Sequence, residues 1–330
     1  MKKFVSILLC ALLFTSALSG CKSEGAEGTN KLSIVTTIFP EYDWTRAILG
    51  DSSDFAELTL LMDNGVDLHS FQPSADDIIK IATCDLFIYV GGESDTWVSD
   101  ALKEAVNEDM VVINLLEVLG DSVKSEELIY GMQAEEHDHD HGASEDDHDH
   151  GASADEHVWL SLKNAELCCA FIAKTLAAMD PDHAEDYSKN AAAYIDELSA
   201  LDLQYQAVTD AAKRKVLLFG DRFPFRYLAD DYNLTCYAAF VGCSAETEAS
   251  FETVAFLAGK VDELGLPCVL TIEGSEHRVA QTIVENTESG NQTILRLDSM
   301  QSIKASDIEG GASYLSIMEA NLEILRQALN

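Results

Sequence analysis

The sequence predicts an α/β protein of two lobes with mainly parallel β-sheets flanked by helices, joined by one long rigid linker helix. Three observations carry this. Short β-branched and aliphatic runs alternate with helical stretches through residues 32–114, and again through 215–297. A helical stretch of roughly 30 residues, about 45 Å at 1.5 Å per residue, separates the two regions and exceeds what a crossover within one sheet needs. Hydrophobic residues make up 47% of the 330, enough to build a buried core.

The chain divides in order. Residues 1–20, MKKFVSILLCALLFTSALSG, place two lysines before an apolar run and small residues before Cys21. That is the pattern of a secretory signal peptide. Leu18-Ser19-Gly20-Cys21 is similar to a bacterial lipobox, which makes Cys21 the expected lipidation site and new N-terminus. Residues 21–30, rich in Ser, Gly, Glu and Thr, read as a flexible tether.

Residues 31–180 form the expected N-terminal lobe. Strands are read at 32–38, 57–62, 85–90 and 110–114, with helices at 40–49, 74–82 and 96–107. The pattern stops at 134–156, AEEHDHDHGASEDDHDHGASADE, which has no apolar residue larger than alanine and reads as a mobile loop with a local duplication. Helix 162–179 closes the lobe, and 181–212 is the linker helix, with Pro181 suited to a helix start. The C-terminal lobe, 213–330, alternates again: strands at 215–219, 234–240, 267–272 and 293–297, helices near 223–231, 250–263, 276–286 and 314–329.

Composition narrows the function. There are 21 Lys and Arg against 58 Asp and Glu, a formal charge of −37. A nucleic-acid binder needs clustered cations, so none is expected as a partner. Six cysteines follow Cys21, and none forms a CxxC pair, which argues against a zinc ribbon. Cys236 and Cys243 could pair in an oxidising compartment; free thiols are the default.

Histidine is the informative residue type. Five of nine lie in the acidic loop: His137, His139, His141, His148 and His150. Clustered imidazoles beside carboxylates capture metals, so the loop is read as auxiliary metal capture. His69 lies in DNGVDLHSFQPSADD, after a strand, where open α/β sheets place ligands. His157 lies in DEHVWLSLKNA, just before a helix. His183 and His277 have no motif context and read as surface residues.

With the opening IVTTIFPEYDW, these two motifs make the chain resemble the metal-binding solute receptors of zinc and manganese ABC importers, from about Leu32 to Leu329. That family carries GxxPHxFxPSxxD and DPHxWLxPxN, each histidine a metal ligand. Here Leu68 and Glu156 stand where the family has proline. The resemblance implies a metal site in the cleft between lobes, with His69 and His157 as ligands. It places the third ligand near the first strand of the second lobe, where VLLFGDRFPFRYL offers Asp221; capping of the next helix is the other reading of that residue. Glu246, in GCSAETEAS, is the reserve candidate. The fourth position maps to Asp298 in RLDSMQS, ahead of GASYLSIMEANL, with Glu273 as supporting or alternative ligand.

Two imidazoles and two carboxylates suit Zn²⁺, and the oxygen ligands leave Mn²⁺ open. The implied function is an extracytoplasmic, membrane-anchored Zn²⁺ receptor, a monomer without catalysis, serving an ABC importer permease and its ATPase. A manganese receptor, a secreted metallohydrolase and a surface adhesin are the alternatives. The hydrolase lacks support, since the sequence contains neither HExxH nor GxSxG.

Overall fold

The computed structural model describes residues 31–50, 54–127, 129, 131–132, 153–244, 248–274 and 276–330. Strands β1 (Leu32–Thr36), β2 (Ala56–Leu60), β3 (Leu86–Tyr89) and β4 (Val111–Asn114) form a parallel sheet in the order β2-β1-β3-β4. Helices α1 (Phe39–Leu49), α2 (Ala75–Thr83), α3 (Val98–Ala101) and α4 (Leu115–Leu119) connect or follow them. Two longer helices come next, α5 (Leu162–Met179) and α6 (Ala184–Asp210).

The second sheet holds β5 (Val216–Phe223), β6 (Thr235–Val241), β7 (Cys268–Thr271) and β8 (Thr293–Arg296), in the order β6-β5-β7-β8. It too is parallel. Helices α7 (Arg226–Asp231), α8 (Phe251–Leu264), α9 (Arg278–Glu285), α10 (Ala305–Glu309) and α11 (Tyr314–Ala328) accompany it. In each sheet the second strand lies outside the first, and the third and fourth lie on its other side. The two sheets are topological repeats.

Local chemistry explains the element ends. Pro73 precedes α2, and Ser74 and Asp77 exchange hydrogen bonds there as a capping box. Ser161 caps α5 and Ser250 caps α8, each accepting from the backbone N–H three residues on. Three expectations change. Pro181–His183 is a 3₁₀ turn, so the long helix begins at Ala184. Helix 96–107 shrinks to α3 and a 3₁₀ turn over Leu102–Glu104. Strand β5 runs on to Phe223 through an irregularity in its register with β6 between Phe219 and Arg222, which delays the next helix to Arg226.

One core joins both lobes. It includes Ile34, Trp44 and Phe87 from the first, Trp159 and Leu160 before α5, Tyr205 from α6, and Phe219, Leu270 and Tyr314 from the second. A smaller cluster, with Leu218, Phe240, Leu257 and Ile283, fills the other face of the second sheet beneath α8 and α9. Helix α6 buries Tyr187, Ala191, Leu198, Leu201, Tyr205 and Val208, the spacing of one helix face. It is pinned along its length. Asn190 donates to the Ile48 carbonyl at 3.0 Å, Asp202 accepts from Tyr232 at 2.7 Å, and Tyr205 donates to the Met318 carbonyl at 2.6 Å.

The segment before α5 is bolted twice to the second lobe. The Trp159 indole donates to the Ser299 carbonyl at 2.8 Å, and Tyr314 donates to the Trp159 carbonyl at 2.6 Å. Trp44 meets the Tyr314 ring edge-on at 5.2 Å. No helix among the described residues is long and apolar enough to cross a membrane. Tyr314→Phe leaves the buried Trp159 carbonyl without this donor and should cost about 1–3 kcal/mol in urea unfolding. An unchanged midpoint and slope would show that this bond adds nothing.

Candidate metal centre

His69 follows β2 in a 3₁₀ turn, Leu68–Ser70. Asp67 starts the turn by accepting the His69 backbone N–H at 3.0 Å. Leu68, 1% exposed, anchors it in the core, so an apolar residue holds the place where the family has proline. The ring Nδ1 lies 2.7 Å from Ser94 Oγ and 3.8 Å from Glu156 Oε2.

His157 is fully buried. Asp155 Oδ1 accepts its backbone N–H and its ring Nδ1–H, both at 2.9 Å. That bond fixes the tautomer and leaves Nε2 bare. Asp155 is held in turn through its carbonyl, which accepts from Tyr227 at 2.7 Å. Glu156 accepts from the Ser94 N–H at 2.8 Å and leans on Gly92, where a Cβ would sit 2.4 Å from its Oε1. The expected loop boundary at 156 is therefore corrected. Asp155 and Glu156 are buried, because their carboxylates find partners inside the fold.

The two Nε2 atoms face each other at 3.2 Å. Two nitrogens about 2.05 Å from one tetrahedral ion stand about 3.3 Å apart, so the rings are already at ligand spacing. Cys243 completes the group: its Sγ and a nitrogen of each ring lie within 4.8 Å of one another. Among the described residues, this is the one group of three or more His, Cys, Asp or Glu side chains so disposed. Cys243 follows β6, in a turn closed by Ser244 N–H on the Val241 carbonyl at 3.3 Å. Glu126 accepts the Cys243 N–H at 3.1 Å. Gly242 is required by close approach, since a Cβ there would meet the His157 ring at 2.8 Å.

Charge shapes the site. Burial, then the neighbouring His157, holds His69 down at about 3, so its imidazole is neutral. Burial opposes charge on His157 too, but the Asp155 carboxylate outweighs it and raises that ring. Burial pushes Glu156 up, and pushes Asp95 up to about 7. Arg222 ties the two turns together, pairing with Asp67 at 2.5 Å and donating to the Ser244 carbonyl at 3.5 Å. Against the cost of burial, that guanidinium holds Asp67 below the usual carboxylate range.

The structure does not bring Asp221 or Asp298 to the imidazole pair. The irregularity in β5 turns Asp221 toward the backbone N–H groups of Arg222 and Ile272, at 2.9 and 3.3 Å. It lies within β5, ahead of Phe225, so it does not cap the helix either. Asp298 Oδ1 accepts the Met300 N–H at 2.9 Å, while Asn321 clamps the Asp298 backbone on both sides at 2.8 Å. Glu273 accepts from the Ser299 and Gln301 N–H groups at 2.7 and 2.9 Å. Asp221 and Glu273, with Gly65, Asp67, Arg222 and His277, line a cavity of about 440 Å³ between the lobes. His277 is thus half-buried at a cleft wall, and the His183 ring meets that of Phe55 at a 32° tilt, centroids 4.0 Å apart. Glu246, the five loop histidines, Cys21 and the tether lie outside the described residues. The six described cysteines are free thiols, so Cys236 and Cys243 are unpaired with each other. Cys243 was not singled out as a ligand because no motif marks it; a cysteine just after a strand of the second lobe was its only signal.

Facing imidazoles in the cleft between two parallel-sheet lobes define a metal-binding receptor. The chain belongs to the ZnuA family, zinc-uptake complex component A, periplasmic, which it matches over residues 34–328. It is 36% identical over 329 residues to the zinc-binding lipoprotein AdcA of Streptococcus pneumoniae, covering 99% of this chain and 61% of that protein. The chain thus spans less than two thirds of that relative. It is 30% identical over 333 residues to the high-affinity zinc uptake system protein ZnuA of Bacillus subtilis, covering 99% and 98% of the two chains. The Zn(II)-bound ZnuA-like domain of Streptococcus pneumoniae AdcA superposes with a TM-score of 0.69 at 30% identity, covering 91% of this chain and 99% of that one.

Two outcomes are expected. Gly242→Ala should displace the His157 ring and weaken zinc binding about 10-fold or more by calorimetry, in the range for loss of a ligand's support. The folded Asp95 carboxyl sits above its unfolded value, so it favours the protonated fold and stability falls as pH rises from about 4 to about 7. Asp95→Asn should flatten that decline, melting higher than the wild type at pH 8 and near it at pH 4. Parallel melting curves at every pH would refute this.

Proposed function

We propose that this chain is an extracytoplasmic receptor that captures Zn²⁺ and delivers it to the permease of an ABC importer, which is driven by its ATPase. The observation that carries this reading is the pair of Nε2 atoms 3.2 Å apart, each ring steered by a partner on its other nitrogen. Imidazoles at that spacing suit zinc. The names of the relatives agree: AdcA is a zinc-binding lipoprotein, and ZnuA is a zinc uptake protein.

The anchor would be lipid on Cys21, with residues 22–30 as tether. The histidines at 137, 139, 141, 148 and 150 would gather metal near the cleft and hand it on. Helix α6 would join the lobes as a strut. The chain binds and releases its cargo without altering it. Docking on the permease must weaken the site for transfer to occur.

Zinc titration of the full chain should show a tight site, with weaker sites from the loop. His69→Ala or His157→Ala should weaken the tight site more than the roughly 10–100-fold that losing an outer partner costs, and leave the weak sites alone. Tight binding that survives both substitutions would place the cargo elsewhere and end this reading.

A further inference from the structure

Resting on the receptor reading, we infer that Cys243 is the third protein ligand of the cleft. It binds as a thiolate, so the cargo class is thiophilic divalent cations such as Zn²⁺ and Cd²⁺, with Mn²⁺ disfavoured.

Geometry comes first. The Sγ shares the 4.8 Å group with both imidazoles, and no carboxylate among the described residues joins them. A zinc ion with bonds of about 2.05 Å to nitrogen and 2.3 Å to sulfur sets nitrogen and sulfur about 3.6 Å apart. A small inward movement of the turn closes the difference. Placement comes second. His69 lies between β2 and α2, and Cys243 lies between β6 and α8. These are equivalent connections in the two repeated sheets, so each lobe sends a ligand from the same topological position. Support comes third. The Cys243 turn is held by Glu126, by the Ser244 N–H on Val241, and by the press of Gly242 against His157.

Cys243 also differs from its fellows. The other five described cysteines are buried, as ordinary core thiols are, and Cys243 is only partly buried. On binding, the S–H bond breaks, the sulfur lone pair bonds the cation, and the proton leaves to solvent; until then burial and the Glu126 carboxylate push the thiol up and keep it protonated.

The test uses the full chain, with the loop histidines His137, His139, His141, His148 and His150 replaced by alanine to remove competing imidazoles. Co²⁺ serves as the spectroscopic probe. One equivalent should give a near-ultraviolet thiolate-to-cobalt band that Cys243→Ser abolishes. Cys243→Ser should also lower zinc affinity about 10-fold or more, and Cys243→Asp should shrink the preference for zinc over manganese. On the unsubstituted chain, zinc should slow alkylation of Cys243; this measurement decides the matter if either variant loses cooperative melting. Cobalt bound without the band, or zinc that leaves Cys243 alkylation unchanged, overturns the assignment while the receptor reading stands. Zinc binding that ignores His69→Ala and His157→Ala overturns both.

Discussion

Two hydrogen bonds through Trp159 set the geometry on which the rest depends. The indole donates across to the Ser299 carbonyl, and the Trp159 carbonyl receives the Tyr314 hydroxyl. The chain between Asp155 and Ser161 is therefore fixed twice to the second lobe, and His157 is part of that chain. The candidate metal centre inherits the placement of His157 from this seam. Burial of Trp44, Trp159 and Tyr314 at the same place makes the lobes share a core. Opening the cleft as a hinge would expose large aromatic surface, a heavy cost beside the few kcal/mol that separate ordinary conformers.

Helix α6 adds a second constraint. Its bonds to Ile48, Tyr232 and Met318 fasten it to elements of both lobes. On the proposed receptor reading, loading and unloading then fall to the short turns that carry His69 and Cys243. Their mutual position rests on Arg222, which reaches Asp67 in one turn and Ser244 in the other. Acidic groups surround the site: Asp155 and Glu156 beside His157, and Asp95 and Glu41 deeper in the lobe. A divalent cation would offset charge that burial otherwise makes costly.

Much of this was legible in the chain. The runs LSIVT, LFIY and VLLF are β-branched or aliphatic and bounded by turn residues, so the strands announced themselves. The motif around His69 includes the Ser74 cap, and the later GASYLSIMEANL motif supplies the Asn321 clamp on Asp298. Other features left no local trace. The irregularity that turns Asp221 away depends on the pairing of β5 with β6, which is not a property of one segment. Asp155 and Glu156 look like the end of a solvated acidic tract, because composition does not reveal that a carboxylate has found backbone donors. Cys243 escaped for the same kind of reason. Its significance comes from the meeting of equivalent connections in two sheets, and the intervening sequence is long and uninformative about that meeting.

The uneven burial of the two imidazoles dictates an order of events. The His157 ring is sealed from solvent, while 9% of the His69 side chain is open. On the proposed receptor reading, a hydrated ion exchanges its first waters at the outer face and bonds His157 last. Departure must run the same path backwards, so the innermost bond is broken first and the ion then leaves past the outer turns. The cleft behaves as a queue with one door, and whatever controls the outer turns controls the traffic.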